Sequence, residues 1–138
     1  MKKLILISVL AVIAVGGYYF LTNQRGSGTY PERPNLIKVF SIKNNDIVSS
    51  PLTVEGEARG TWYFEASFPV RLLDGNGKEI AIQPAQAQDE WMTDNYVPFK
   101  VVLTFQKPIT LTGTLILQKD NPSGLPEYDD ELRIPVKF

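Results

Sequence analysis

The segment Leu52–Ala58 restricts the fold more than any other part of the chain, because its polarity alternates residue by residue. The small or apolar residues are Leu52, Val54, Gly56 and Ala58, and the polar residues between them are Thr53, Glu55 and Glu57. A period of two residues is typical of a β-strand with one dry face and one wet face. Gly56 has no side chain, so we expect a long apolar residue of a facing sheet to lie opposite it.

Similar short runs follow one another from residue 36 to the end, and none after Leu21 has the 3.6-residue period of a helix. The sequence Asp74–Gly77 (DGNG) predicts a hairpin, because Gly and Asn tolerate the positive φ of tight turns. The stretch 83–97 is predicted to be irregular. The predicted strands are Leu36–Ile42, Ile47–Val48, Leu52–Ala58, Phe68–Leu73, Lys78–Ile82, Phe99–Phe105, Gly113–Gln118 and Glu131–Phe138.

This pattern of about seven short alternating strands predicts an all-β domain, an immunoglobulin-like antiparallel β-sandwich. In the first strand, the alternation predicts that Ile37, Val39 and Ser41 share one face and that Lys38, Phe40 and Ile42 share the other. In the last strand, Leu132, Ile134, Val136 and Phe138 are predicted to face the core.

The N-terminus predicts a membrane anchor. Lys2 and Lys3 precede Leu4–Leu21, an uncharged apolar run that as a helix would nearly span a bilayer. Tyr18, Tyr19 and Phe20 favour an uncleaved transmembrane helix over a cleaved signal peptide, the alternative that the sequence leaves open. We expect an anchor at 1–21, a flexible linker at 22–35 and a domain at 36–138. The N-terminus would be cytoplasmic, and the domain would be periplasmic or extracellular.

Composition excludes several functions. The chain has no cysteine and no histidine, so it has no thiolate or imidazole ligand or nucleophile and no histidine general base. We therefore expect no catalysis, cofactor or metal. The acidic run Glu127, Asp129, Asp130 and Glu131 has no calcium-loop spacing and is interpreted as a solvated turn. From Leu36 onward ten basic residues oppose fourteen acidic ones, which argues against a nucleic-acid partner.

Two blocks carry a family resemblance. The string Ile47–Gly60 (IVSSPLTVEGEARG), followed by Phe68–Asp74 (FPVRLLD), resembles the Gmad2 family, the immunoglobulin-like domain of bacterial spore-germination and related envelope proteins. The later blocks Phe99–Phe105, Asp120–Gly124 and Ile134–Val136 extend the resemblance over residues 36–138. It implies an immunoglobulin-like, secreted or membrane-tethered module without known catalysis, with a role in sporulation, germination or the cell envelope.

Two aromatic clusters are the candidate binding residues. Trp62 and Tyr63 lie in the connection after Leu52–Ala58, and Trp91 and Tyr96 lie before Phe99. Exposed rings of this kind stack on sugars or anchor protein partners, whereas buried ones cap the end of the sandwich. If both connections lie at the same end, they form one aromatic patch. The leading hypothesis is a module that binds an envelope protein or a cell-wall glycan through these loops. The alternative is a structural spacer that pairs through an exposed sheet edge.

Overall fold

The computed structural model describes residues 35–138, which form seven β-strands and two short 3-10 turns, at Gly60–Trp62 and Pro126–Tyr128. All strand pairs are antiparallel, as the sequence predicts. The strands are β1 (Ile37–Val39), β2 (Leu52–Arg59), β3 (Ser67–Asp74), β4 (Glu79–Ala87), β5 (Tyr96–Leu103), β6 (Thr112–Gln118) and β7 (Glu131–Lys137).

Within residues 35–138, no helix has the length and apolar character needed to cross a bilayer. The transmembrane helix predicted at 1–21 lies outside the described residues, and so does the predicted linker, apart from Asn35.

The strands form one sheet in the order β1-β2-β5-β4-β3-β6-β7. After β1 the chain crosses to the opposite edge, where Ile47 forms a parallel bridge with Lys137 of β7. The Val48 amide donates to the Lys137 carbonyl at 2.8 Å, and the Lys137 amide donates to the Asp46 carbonyl at 2.9 Å. The predicted extended piece Ile47–Val48 therefore covers the edge of β7, whose backbone groups would otherwise lack a partner strand.

Strand β2 has the predicted register, with Leu52, Val54, Gly56 and Ala58 buried. An apolar ring does lie over Gly56, but it belongs to a different strand from the one expected. A Cβ atom at this position would lie 2.8 Å from the Phe99 ring, which is on the paired strand β5 rather than on a facing sheet. The same Cβ would lie 2.0 Å from the Lys38 carbonyl oxygen, so β1 also approaches too closely for a side chain.

The predicted first strand is too long, and its last residues do not keep the predicted alternation of faces. Strand β1 ends at Val39, because the amides of Phe40 and Ser41 both donate to the carbonyl of Glu55. Two residues opposite one are a bulge, which reverses the alternation beyond it. Ile42 is consequently buried like Ile37, and Ser41 is exposed like Phe40, whereas the sequence predicts that Ile42 shares a face with Phe40 and Ser41 shares a face with Ile37.

The hairpin at Asp74–Gly77 is confirmed, but β4 is longer than predicted and includes Gln83–Ala87, which the sequence suggested was irregular. The sequence of Gln83–Ala87 shows no clear alternation of apolar and polar residues, because the only fully buried side chain in that part of β4 is the small Ala85. Pro84 lies where β4 faces no second strand, since β4 pairs with β5 only at Gln86 and Ala87.

The core is centred on Phe68, which contacts three other rings edge to face. The centroid distances are 6.5 Å to Trp62, 5.2 Å to Tyr63 and 5.0 Å to Phe99. Strand β7 adds Leu132, Ile134 and Val136 to the same core, as predicted. Phe138, also predicted to face inward, is half-buried and packs against Phe105.

Candidate functional site

Three connections meet at one end of the domain, which we call the three-loop end: residues 60–66, 88–95 and 119–130. The Gly60 amide donates to the Asn95 carbonyl at 3.1 Å, and the Asp120 amide donates to the Trp62 carbonyl at 3.0 Å. The first connection therefore holds the other two in place. The two aromatic clusters lie at the same end, the condition under which the sequence predicts a common patch.

Gly60 makes the close approach possible. A Cβ atom on Gly60 would lie 1.8 Å from the Thr93 carbonyl oxygen and 2.4 Å from the Trp91 carbonyl oxygen. Only glycine fits between these two backbone groups. Arg59 strengthens the junction, since its Nη1 atom donates to the Asp94 carbonyl at 3.2 Å and its Nε atom to the Asn35 carbonyl at 3.3 Å.

Trp62 and Tyr63 are core residues. They are only 1% and 4% exposed, because both rings pack on Phe68 and cap the end of the core. Their burial matches the interpretation in which the aromatic residues of this corner cap the end of the sandwich rather than the one in which they are exposed. Burial raises the pKa of the Tyr63 phenol well above its ordinary value, and its hydroxyl donates to the Val97 carbonyl at 2.7 Å.

Tyr96 is half-buried and lies beneath two cations. The Lys38 ammonium is 4.1 Å from the ring centroid, and the Arg59 guanidinium carbon is 4.0 Å from it. Because such cation–π contacts occupy the faces of an aromatic ring, they compete with stacking on a sugar or a protein side chain. Tyr96 thus holds β1, β2 and β5 together at their shared end.

Trp91 is the predicted residue that is best placed for contact with a partner. It is half-buried and lines an open groove of about 370 Å³ between the first and second loops, together with Gly60, Thr61, Tyr63, Met92, Thr93 and Asp94. Met92 beside it is 73% exposed. A second, smaller groove of about 250 Å³ on the other side of this loop is lined by Asp89, Glu90, Thr93, Asn95, Tyr96 and Val97.

Sequence reasoning missed the exposed apolar residues of these loops, namely Phe64, Met92, Leu125 and Tyr128. No periodic signal exists in loops, so an exposed methionine beside a half-buried tryptophan is not distinguishable there from a pair of core residues. The acidic residues after Gly124 make local contacts. Asn121 Nδ2 donates to Asp129 Oδ1 at 2.7 Å, and Glu131 pairs with Arg133 at 2.5 Å.

The three-loop end combines acidic, apolar and aromatic side chains. No group of three or more acidic side chains in the part of the chain that the structure describes has a metal-binding arrangement. The groove is lined by the Trp91 indole, the Met92 thioether and polar residues such as Thr61, Thr93 and Asp94, which suit apolar contact and hydrogen bonding.

Comparison with known proteins identifies one family. The model of Gmad2, described as the immunoglobulin-like domain of bacterial spore germination, matches residues 36–124. The match begins just before β1 and ends in the loop before β7. No curated protein and no solved structure matches the chain.

Proposed function

Because the chain belongs to the Gmad2 family of immunoglobulin-like domains, we propose that it is a non-catalytic envelope module that binds a protein partner through its three-loop end. A cell-wall glycan is the other partner to be tested. An N-terminal helix at residues 1–21 would hold the module on the outer side of the membrane. The role would lie in germination or a related envelope process.

The strand order supports an immunoglobulin-like sandwich. One layer would contain β1, β2, β5 and the end of β4, and the other would contain β3, β6 and β7, as in the ABED and CFG sheets of a constant-type domain. The parallel bridge between Ile47 and β7 would be the point where the first strand changes layer. In such domains, loops gathered at one end serve recognition because a rigid scaffold positions them.

The observation that carries the binding proposal is the groove beside Trp91. Gly60 and its hydrogen bond to Asn95 hold the groove walls together, so the surface is largely formed before a partner arrives. Exposed Met92 and half-buried Trp91 supply the adaptable and the rigid apolar contacts that protein interfaces use. A protein partner is favoured over a glycan, because stacking on a sugar needs an exposed ring face and the Trp91 side chain is half-buried.

Site-specific crosslinking in envelope preparations tests the proposal. A photoreactive residue replacing Met92 in the full-length protein should give a discrete crosslinked band, and Trp91→Ala should remove it without lowering the melting temperature by more than a few degrees. A photoreactive residue replacing Ile82, which is exposed on β4, is the matched control. Retention on purified cell-wall sacculi, lost in Trp91→Ala, would identify a glycan instead.

The same experiment addresses pairing through a sheet edge. Strand β4 faces no second strand over Glu79–Ala85, which is the observation that favours the spacer hypothesis. Exposed Glu79 and Pro84 make that edge unfavourable for pairing. A crosslink from position 82 and none from position 92 would contradict binding through the loops and support pairing through the edge of β4.

The membrane anchor has its own test. The full-length protein should stay in the membrane fraction after a carbonate wash, with its C-terminal domain open to externally added protease. A mature N-terminus near Gly17 or Asn23 would show cleavage and overturn the anchor.

A further inference from the structure

The end of the domain opposite the three-loop end combines exposed aliphatic side chains with lysines whose side chains have no partner within residues 35–138. It is formed by segment 43–48, hairpin 74–78 and loop 104–111, and we call it the lysine end. Hydrogen bonds join its parts, because the Gly75 amide donates to Thr110 Oγ1 at 2.9 Å and the Phe138 amide donates to the Leu111 carbonyl at 3.0 Å.

Three aliphatic residues at this end are far more exposed than is usual for their type. Ile109 is 98% exposed, Ile47 is 80% exposed and Leu111 is 77% exposed. Ile109 and Leu111 project from the connection between β5 and β6, and Ile47 lies beside Lys137 of β7. Exposed apolar residues grouped in this way mark a surface that is covered in use.

Basic side chains with a partner in residues 35–138 and those without one lie in different parts of the domain. Six of the ten basic side chains from residue 36 onward hydrogen-bond or pair with another residue: Lys38 with Glu57, Arg59 with Asp94, Arg71 with Glu79, Lys100 with Glu55, Lys119 with Tyr128 and Arg133 with Glu131. The other four make no side-chain hydrogen bond or ion pair within residues 35–138. All four are exposed, and all four belong to the lysine end or adjoin it: Lys43, Lys78, Lys107 and Lys137.

The carboxylates are distributed in the opposite way. The two acidic residues in the segments that form the lysine end, Asp46 and Asp74, accept hydrogen bonds from backbone amides of their own turns. Eight acidic residues lie in the loops of the three-loop end: Glu65, Asp89, Glu90, Asp94, Asp120, Glu127, Asp129 and Asp130. The domain is negatively charged overall, yet at the lysine end four lysines outnumber two acidic side chains and lie beside exposed aliphatic residues.

We propose that the lysine end docks on an anionic lipid surface. Aliphatic side chains at the tip of a loop enter the interface, and lysines around them contact anionic headgroups. The acidic three-loop end is repelled by the same surface, so the charge distribution orients the domain. The lysine end then lies on the bilayer, and the partner groove beside Trp91 points away from it.

The length of the linker permits this orientation. Asn35 accepts a hydrogen bond from Arg59, so the chain enters the domain at the three-loop end. Residues 22–35, fully extended, would reach about 46–50 Å. An eight-residue strand such as β5 is only about 26 Å long. An anchor attached at the three-loop end therefore does not keep the lysine end from the bilayer.

Lipid quenching of a single fluorophore tests the proposal on the full-length protein. Because the chain has no cysteine, Gln106→Cys and Thr61→Cys each provide one labelling site, the first in loop 104–111 and the second at the three-loop end. The labelled proteins are reconstituted in vesicles of phosphatidylcholine alone or with a quarter phosphatidylglycerol, with a quencher on the lipid chains. We expect quenching at position 106 only in the anionic vesicles, and little at position 61 in either.

Two variants separate the contributions of charge and apolar contact. The double variant Lys107→Gln with Lys137→Gln should remove the dependence of quenching on phosphatidylglycerol. The double variant Ile109→Ser with Leu111→Ser should lower the apparent association constant, measured from quenching at position 106, about tenfold. The matched controls are Lys100→Gln and Ile82→Ser, which change the same residue types elsewhere. Melting curves confirm that each variant is folded.

Three results would overturn the proposal. One is equal quenching at positions 106 and 61, and another is equal quenching in the two kinds of vesicle. The third is a concentration-dependent blue shift of the position-106 label in detergent without lipid, which would show that a second copy of the chain covers this end.

Discussion

Single residues decide how closely the strands of this domain approach one another. At Gly56 the carbonyl of Lys38 and the ring of Phe99 occupy the space that any side chain would need. At Gly60 two carbonyl oxygens do the same. At both positions the neighbouring groups come close because glycine has no side chain. Even a small side chain there should therefore destabilise the domain.

Replacement of Gly56 tests the register of β2. Gly56→Val should lower the free energy of unfolding by about 1–3 kcal/mol or more, because β1 and Phe99 must move. Thr53→Val, on the exposed face of the same strand, should change it by less than about 0.5 kcal/mol. Denaturant melts of both variants measure the difference. Equal effects, or a larger effect at Thr53, would mean that the wrong face of β2 has been placed inward.

The buried indole of Trp62 leads to a second prediction. Its Nε1 atom has no hydrogen-bond acceptor among the described residues, and an unpaired buried donor costs about 1–3 kcal/mol. Trp62→Phe removes that donor and keeps most of the apolar surface, so it should cost under about 1.5 kcal/mol. Trp62→Ala should cost about 3–5 kcal/mol. Urea titrations compare them, and similar costs would show that the indole nitrogen is hydrogen-bonded after all.

Tyr63 predicts how stability responds to alkaline pH. Burial favours the neutral phenol, so its pKa in the folded protein lies above the ordinary value of 10.0 that it regains on unfolding. Stability from this group is therefore complete below about pH 10 and falls as the pH rises further, by at most about 1.4 kcal/mol per pH unit.

Unfolding by urea between about pH 8 and pH 11 measures this effect. Tyr63→Phe should flatten the decline, at the cost of the hydrogen bond to Val97. Tyr128→Phe is the control, because that side chain is 53% exposed and should leave the decline unchanged. The idea fails if the Tyr128 variant flattens the decline as much as the Tyr63 variant does.

Among the elements, the edge strands β1 and β7 are connected by the segment of chain that follows β1. Strand β1 is short because a bulge at Glu55 ends it, and the chain then crosses to β7 instead of extending the first edge. The crossing covers one edge, and β4 is shared between β3 and β5. These two features place three loops at one end and the unpartnered lysines at the other.

Strand β7 lies beyond the part of the chain that the family model matches, and its removal is a direct test of its role. A chain ending at Gly124 loses Leu132, Ile134 and Val136 from the core. Burial of each such side chain contributes about 1.5–3 kcal/mol, and together they approach the whole stability of a small domain. We expect no cooperative thermal transition in the shortened chain. A sharp transition near that of the full-length protein would show that β7 is dispensable.

At the scale of the whole domain, residues 35–138 share one apolar core. Phe68, the three rings around it and the inward faces of the strands supply the apolar contacts, and no disulfide is possible in a chain without cysteine. Within residues 35–138 the charged side chains are unevenly distributed, with acidic residues concentrated at the three-loop end and the four lysines at the lysine end. That separation gives the two ends different partners in the functions proposed above.

A fragment of residues 36–138 tests the independence of this core. It should fold alone, give a β-type circular dichroism spectrum with almost no helical signal, and unfold cooperatively at the same temperature with or without a chelator. A substantial helical signal would contradict the all-β fold. A drop in the melting temperature on adding a chelator would contradict the expectation that no metal is needed.

The sequence by itself determined the features that depend on neighbouring residues. Alternation in Leu52–Ala58 and in β7 predicted which side chains are buried, since a strand alternates its faces at every residue. The Asp74–Gly77 turn predicted the hairpin, because its backbone needs residues that tolerate positive φ, and Gly77 has a φ of 80°.

Only the tertiary structure decided the features that depend on distant parts of the chain. Ile42 is buried because a bulge against Glu55 shifts the alternation, and Trp62 and Tyr63 are buried because Phe68 lies beneath them. The partners of the lysines likewise depend on which strands are adjacent. Long-range pairing determines all of these, and a local pattern contains no information about which residue will lie across the sheet.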